Sequence, residues 1–169
     1  TLRELWRVSR IEFGFALISI AGVIVLGVLN GVVVAVGATL LYLLMKSLTP
    51  RDALLGRIPG HDGFYKLHRY PQAQPVPGVS IYLLQGALLF FNAEYVKGRL
   101  EEIIADLPPA TRWLLFDAGA TAQMDSTAVV MLDDVRILAE ERGLKFGMVD
   151  LHSEPLDALV RSGVAAKIG

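Results

Sequence analysis

The 169-residue sequence contains no cysteine, which excludes disulfide bonds, thiolate metal sites and a cysteine nucleophile. Its formal net charge is only −1, so no overall basic field indicates nucleic acid as a partner. Histidine is scarce as well, and His61, His68 and His152 do not have the spacing of metal ligands. Glycine-rich phosphate loops and a Gly-x-Ser-x-Gly elbow are also missing. The sequence therefore predicts no catalytic residue, no metal site and no cofactor.

Charge itself is absent from one long stretch, which runs from Phe13 to Met45. A charge-free apolar segment of about 18 residues or more is a candidate for crossing a membrane. This run is also much longer than the apolar core of a signal peptide, which spans about 7–15 residues. The sequence therefore predicts a segment that lies in the lipid bilayer.

A straight helix of this length would be about 50 Å long, whereas the hydrocarbon core of a bilayer is about 30 Å thick. Asn30-Gly31, near the middle, is a turn signal, and Gly27 with Gly31 forms a small-xxx-small pair that permits close helix approach. Basic residues flank both ends of the run, namely Arg3, Arg7 and Arg10 before it and Lys46, Arg51 and Arg57 after it. A hairpin would keep both groups on the cytoplasmic face. We therefore favour two short arms over one span, which stays as the alternative.

The next segment, residues 50–78, is interrupted by proline and glycine, so it predicts a linker with one short strand at Phe64–Leu67. Two apolar runs follow, Val79–Leu84 and Ala87–Phe91, separated by Gln85-Gly86. This pattern predicts a β-hairpin or two strands of a sheet.

Helices and strands alternate in the remainder of the chain. Asn92 is a favourable N-cap for a first helix, which Pro108-Pro109 ends, and Asp125-Ser126-Thr127 caps a second helix. Further strands are predicted at Trp113–Asp117 and Leu144–Leu151, with a third helix from about Ser153. The apolar residues at helical spacing are Ala93, Val96, Leu100, Ile103, Ile104 and Leu107 in the first helix, and Ala128, Met131, Leu132, Val135, Leu138 and Ala139 in the second. This order predicts an α/β fold with a mixed, largely parallel sheet and helices packed on it.

Several motifs occur together in a recognisable order. They are Leu55-Gly56-Arg57-Ile58-Pro59-Gly60, a proline-rich stretch to Pro77-Gly78, Phe90-Phe91-Asn92-Ala93-Glu94 and Asp125-Ser126-Thr127-Ala128. Preceded by a membrane hairpin, they resemble the last two membrane segments and the C-terminal STAS (sulfate transporter and anti-sigma-factor antagonist) domain of the SulP sulfate permease family.

The resemblance implies a STAS-like mixed β-sheet with packed helices, preceded by a transmembrane helical hairpin. The expected divisions are residues 1–48 for the membrane segments, 49–78 for a linker and first strand, and 79–169 for the STAS domain. Because neither end of the sequence has the features of a natural terminus, we expect a fragment whose STAS domain is truncated at its C-terminus. The expected location is the inner membrane, as part of a multi-pass protein with a cytoplasmic STAS domain.

By the same resemblance, the parent protein would be a secondary-active transporter of sulfate or a related anion and not an enzyme. The implied partners are the lipid bilayer, the rest of the transporter's membrane domain and a second copy of the chain. The substrate site would lie in that other part of the membrane domain. A membrane-tethered STAS module that acts through Ser/Thr phosphorylation or nucleotide binding is the alternative function.

Two groups of residues are candidate sites by this resemblance. Thr127 occupies the position of the phosphorylated serine in bacterial anti-sigma antagonists, with Ser126 and Asp125 before it, and a nucleotide or a regulatory protein could bind near this helix start. Asn92 and Glu94 match the family's Asn-Ala-Glu motif. The ordinary role of both groups is to cap a helix and complement its dipole, and this reading stays open beside the functional one.

Overall fold

The computed structural model of the protein describes residues 10–168. They belong to two compact units, of which the first ends at Ser47 and the second begins at Leu48. Each unit is described separately below.

The described part of the first unit is helix α1, Arg10–Leu48, whose last residue already belongs to the second unit. The helix is interrupted at Gly27. Gly27 has φ 81° and ψ 165°, a backbone conformation that is essentially restricted to glycine because other residues carry a Cβ. The predicted turn at Asn30-Gly31 is therefore misplaced, since both residues lie in the helix that follows the break. The helix therefore breaks at Gly27, whose backbone conformation is unfavourable for a residue with a side chain, and not at the predicted turn Asn30-Gly31.

The two arms of α1 come into contact close to this break. A Cβ placed on Gly31 would lie 2.5 Å from the backbone nitrogen of Val23, and one placed on Gly22 would lie 3.4 Å from the Cα of Gly31. In a straight helix, residues nine positions apart are separated by about 13.5 Å. The backbone therefore folds back at Gly27, as a hairpin requires, and small residues permit the close approach.

The arms are unequal, which differs from the two short arms that were predicted. Gly27–Leu48 is long and apolar enough to cross a membrane, whereas Ala16–Val25 is a shorter apolar helix. The reason is the earlier position of the break. Large side chains around it are highly exposed, with Ile24, Val25 and Leu29 each at 77–78%, so this unit has the surface that a lipid environment favours.

The second unit is built on a five-stranded sheet with the order β2-β1-β3-β4-β5. The strands are β1 Arg51–Gly56, β2 Tyr65–Lys66, β3 Val79–Gln85, β4 Trp113–Asp117 and β5 Lys145–Val149. Strand β1 is antiparallel to both β2 and β3, while β3, β4 and β5 run parallel. The sheet is mixed, as predicted.

Two local predictions about this sheet are wrong. Arg51–Gly56 is not linker but a strand that pairs with β3 along five residues, and Ala87–Phe91 is not a strand. Gly86, at φ 127°, turns the chain out of the sheet, and a helix begins at Phe90. Strand β1 thus takes the place beside β3 that was predicted for Ala87–Phe91.

Three helices cover one face of the sheet: α2 Phe90–Asp106, α3 Ser126–Glu141 and α4 Ser153–Arg161, followed by a 3₁₀ turn, Val164–Ala166. The core contains alternate residues of the three parallel strands, namely Tyr82, Leu84, Leu114, Phe116, Phe146 and Met148. The apolar stripes predicted for α2 and α3 are confirmed, since most of their residues are buried in this core. Both helices start at the carboxyl ends of neighbouring parallel strands, and this geometry positions the site described next.

Substitution of Gly31 tests the close contact between the arms of α1. Gly31→Ala should push the arms apart because its Cβ has no room beside Val23, whereas Gly37→Ala, in open space on the same helix, should not. The chain lacks cysteine, so spin labels can be attached at Leu17→Cys and Leu40→Cys, one on each arm. Pulsed electron–electron double resonance then measures the distance between the two labels. The distance should lengthen toward the roughly 35 Å of a straight helix only in the Gly31 variant. Equal distances in both variants would contradict the close contact.

Candidate functional site

The N-termini of α2 and α3 share one carboxylate, that of Asp125. Its Oδ1 accepts a hydrogen bond from the backbone N–H of Ala128 at 2.9 Å, the usual contact of an N-cap. Its Oδ2 accepts a second bond from the backbone N–H of Phe90 at 2.7 Å. Asp125 is therefore the N-cap of α3, as predicted, and also caps the first turn of a helix 35 residues earlier in the chain.

The two segments that lead into these helices run side by side. Leu88 and Met124 form a parallel bridge, the N–H of Leu88 donates to the Gln123 carbonyl at 3.0 Å, and the N–H of Asp125 donates to the Leu88 carbonyl at 3.3 Å. These bonds place the two helix starts next to each other. One backbone N–H group of each helix and the positive ends of the two helix dipoles thus converge on the carboxylate of Asp125.

Asn92 is not the N-cap of α2, which corrects the prediction. The cap residue is Leu89, and Asn92 is the third residue of the helix. Its Oδ1 accepts from the Leu89 N–H at 2.9 Å and its Nδ2 donates to the Ala87 carbonyl at 3.0 Å, while only 2% of the residue is exposed. Because Asp125 supplies the capping oxygen from a distance, the apolar Leu89 can occupy the cap position.

Glu94 also differs from its predicted place in the first turn. The helix begins at Phe90, so Glu94 is its fifth residue, and it is exposed. Phe90 is 70% exposed and its ring contacts that of Phe91 edge-on at 5.3 Å. The motif Phe90-Phe91-Asn92-Ala93-Glu94 therefore combines a buried amide that holds the helix start with an exposed aromatic ring and an exposed acid.

Ser126 and Thr127 are the first two residues of α3, and both are exposed. Ser126 lines a groove of about 620 Å³ between α3 and α4, together with Arg161 and Lys167. Lys167 Nζ bonds Asp133 at 2.8 Å, and Arg136 bonds the other oxygen of Asp133 at 2.8 Å. The hydrogen bond from Lys167, followed by that from Arg136, holds the pKa of Asp133 below its ordinary value. One side of the groove is thus a fixed ion-pair network.

A second polar cluster lies beneath α2. Arg99 Nε bonds Asp52 of β1 at 3.2 Å, and its guanidinium also bonds Glu102. The Tyr82 side chain lies nearby and is buried, and burial together with the charge of Asp52 raises its pKa above the ordinary value. This cluster joins β1, β3 and α2. Sequence reasoning missed it because its members come from three distant segments.

Within residues 10–168, no group of three or more His, Asp or Glu side chains is arranged to hold a metal ion. Several acidic residues of this domain are engaged with backbone N–H groups or basic side chains. Asp117 accepts from the Gly119 N–H at 2.9 Å, and Asp134 pairs with Lys97 of α2 at 2.9 Å. The chemistry of the site is therefore that of helix capping, ion pairing and exposed hydroxyl groups.

The second unit combines a mixed sheet with two helices that start side by side at the carboxyl ends of its parallel strands. The comparison with protein families agrees with this arrangement. The model of the STAS domain family matches residues 70–169, so the chain belongs to the STAS domain family. Strands β1 and β2 precede the matched segment and complete its sheet.

The similarity to transporters extends beyond this domain. A probable sulfate transporter of Mycobacterium tuberculosis is 34% identical over 167 residues, covering 99% of this chain and 30% of that protein. Probable sulfate transporter 4.2 of Arabidopsis thaliana is 28% identical over 174 residues, covering 98% and 26%. The chain therefore spans less than a third of the length of these relatives. Nearly all of it is similar to a part of SulP-type sulfate transporters.

Solved structures show the same fold. The murine solute carrier 26 family member A9 anion transporter, in its inward-facing state, superposes with a TM-score of 0.82 at 20% identity, covering 97% of this chain and 26% of that chain. At this identity the likeness concerns the fold alone. The likeness in fold includes the hairpin as well as the STAS domain, since the match covers 97% of this chain.

Removal of the shared carboxylate should loosen two helices at once. In Asp125→Ala, amide hydrogen exchange in the first turns of both α2 and α3 should rise about 2- to 30-fold, since one cap stabilises by about 0.5–2 kcal/mol. Asp134→Ala, which removes an exposed ion pair, is the matched control and should change exchange there by less than about fivefold. Faster exchange confined to α3 would show that Asp125 does not stabilise α2.

Proposed function

We propose that this chain forms the terminal membrane hairpin and the cytoplasmic STAS domain of a secondary-active transporter for sulfate or a related anion. The observation that carries the proposal is the union, in one chain, of a folded-back apolar helix and a STAS domain. Relatives that are similar over 98–99% of the chain are described as probable sulfate transporters.

The surface of α1 supports the membrane part of this proposal. Its apolar side chains remain exposed around the break at Gly27, and burying such area in lipid is favourable by about 25 cal/mol per Å². Lys46 lies in its last turn, where a basic residue marks the cytoplasmic end of a membrane segment. A cytoplasmic STAS domain would follow directly.

The STAS domain would serve assembly and regulation. A transporter that works as a homodimer would have the second copy, the bilayer and the rest of its own membrane domain as partners. The substrate site would lie in that membrane domain. The similarity to sulfate transporters over only 26–30% of their length supports this division, because most of the membrane domain of such a protein would lie in the rest of its length.

The transport assignment predicts uptake by the complete gene product that contains this chain. Reconstituted in vesicles, it should accumulate radiolabelled sulfate or a related anion such as bicarbonate under an imposed proton or sodium gradient. Vesicles with the 169-residue chain alone should take up no more than empty vesicles. Absence of uptake for every one of these anions by the complete protein would overturn the assignment.

Regulation of the transporter through the start of α3 is a second candidate function. Ser126 and Thr127 are exposed beside the shared cap, and a phosphate there would add nearly two negative charges next to Asp125. Binding of a nucleotide or a regulatory protein in the adjoining groove would act on the same helix start. The motivating feature is that one carboxylate at this place already stabilises both α2 and α3.

Charge substitution at these hydroxyls tests the regulatory role. Thr127→Glu in the complete transporter should alter the rate of anion uptake about two- to fivefold, since one charge near a helix terminus contributes about 0.3–1 kcal/mol. Thr127→Gln is the neutral control of the same size and should leave the rate unchanged. Native protein without phosphate at Ser126 and Thr127 by mass spectrometry, together with no heat of ATP or GTP binding in calorimetry, would remove this function.

A further inference from the structure

The segment Leu55-Gly56-Arg57-Ile58-Pro59-Gly60 has no role in the function proposed above, yet it builds a well-defined surface. Arg57 and Gln74 exchange two backbone hydrogen bonds of 2.9 Å each, and a Cβ on Gly56 would overlap the Gln74 carbonyl. The His61 N–H donates to the Ile58 carbonyl at 3.1 Å across a turn with Gly60 at φ 77°. The motif therefore fixes the backbone from which Arg57 projects.

Aromatic rings and guanidinium groups form two neighbouring sets of contacts on this surface, which the backbone pairing of β1 with β2 brings together. The guanidinium carbon of Arg57 lies 5.3 Å from the centre of the Phe64 ring, and that of Arg69 lies 6.0 Å from the Tyr70 ring. The rings of Tyr65 and Tyr70 meet edge-on at 5.4 Å, and Tyr65 pairs with Gly56 in the sheet. We call these five residues, Arg57, Phe64, Tyr65, Arg69 and Tyr70, the aromatic–arginine platform.

The platform presents its groups to the outside. Phe64 is 51% exposed and Tyr70 is 38% exposed, and both arginines are exposed. Within the described part of the chain, neither arginine forms an ion pair. A guanidinium that stacks on a ring keeps its edge N–H groups available for a phosphate or carboxylate.

Charge is distributed unevenly around the platform. Residues 46–69 contain five Lys or Arg and two Asp or Glu, whereas residues 70–168 contain eight Lys or Arg and thirteen Asp or Glu. The surplus of positive charge thus begins in the last turn of α1, at Lys46, and continues through Arg51 to the platform. A basic cluster that directly follows a membrane segment is attracted to anionic lipid.

We propose that the aromatic–arginine platform binds the phosphate headgroups of anionic lipids at the membrane surface. The inference rests on the proposed membrane location of α1. An exposed tyrosine such as Tyr70 favours the membrane–water interface over bulk water, because its ring is apolar and its hydroxyl group is compatible with headgroups. The exposed ring of Phe64 adds apolar surface beside it. The acidic remainder of the domain would stay directed toward water, so lipid charge would orient the STAS domain.

The full chain, which lacks cysteine, permits a direct test with one engineered label. Gln72→Cys, an exposed neutral position near Tyr70, carries a fluorophore that is quenched by lipids with a nitroxide at the headgroup. Ala122→Cys, exposed in the loop between β4 and α3, carries the same label as the reference position. Quenching is compared in vesicles of neutral phosphatidylcholine and in vesicles that also contain phosphatidylglycerol.

We expect strong quenching at position 72 only with phosphatidylglycerol, and loss of this quenching in 1 M salt, where the Debye length falls to about 3 Å. The double substitution Arg57→Gln and Arg69→Gln should weaken contact with the anionic bilayer about tenfold or more, since each basic residue near the surface contributes about 1 kcal/mol. The matched control is Arg112→Gln with Arg142→Gln, which removes the same charge from exposed positions outside the platform. It should leave quenching at position 72 unchanged.

Each contrary result has a distinct meaning. A chain that does not remain in the vesicles after alkaline extraction would overturn the membrane location and the platform proposal with it. A chain that remains inserted, but whose label at position 72 is quenched equally in neutral and anionic vesicles, would overturn the platform proposal alone. So would an equal loss of quenching in the control double variant, or platform-dependent binding of an acidic protein without lipid contact.

Discussion

The carboxylate of Asp125 is the point on which the arrangement of the helical layer depends. The parallel strands β3 and β4 deliver α2 and α3 to the same edge of the sheet, where the unpaired N–H groups of two helix N-termini would otherwise compete for solvent. The carboxylate of Asp125 accepts a hydrogen bond from one backbone N–H group of each helix. The first turns of α2 and α3 are therefore stabilised together, and a change at the start of α3 also reaches α2.

The chain combines surfaces suited to two solvents. Around Gly27, α1 exposes aliphatic side chains to an extent that water opposes, while the second unit buries its apolar residues between the sheet and one helical layer. A hairpin with backbone contact between Gly22 and Gly31 needs small residues, because packing and not the hydrophobic effect joins helices in lipid. The same chain thus obeys different packing rules in its two units.

Membership of the STAS family and similarity to sulfate transporters agree with this division. Many charged groups of the second unit cap helices or pair with each other, while others are exposed. In the function proposed above, the exposed hydroxyls of Ser126 and Thr127 and the aromatic–arginine platform are the features through which the domain would act on its partners.

The sequence by itself determined the features that depend on local order. The charge-free run, the buried stripes of α2 and α3, the strand at Trp113–Asp117 and the cap of α3 at Asp125 all follow from side-chain periodicity and local hydrogen bonding. Only the tertiary structure decided that Arg51–Gly56 pairs with β3, that Leu89 rather than Asn92 caps α2, and that Asp125 serves a second helix. The pairing of β1 with β3 and the bond from Phe90 to Asp125 join residues 26 to 35 positions apart, and no local pattern encodes which distant backbone group will face which side chain. The break at Gly27 was also decided by the tertiary structure, because contact between the two arms accompanies the break there and not at Asn30-Gly31.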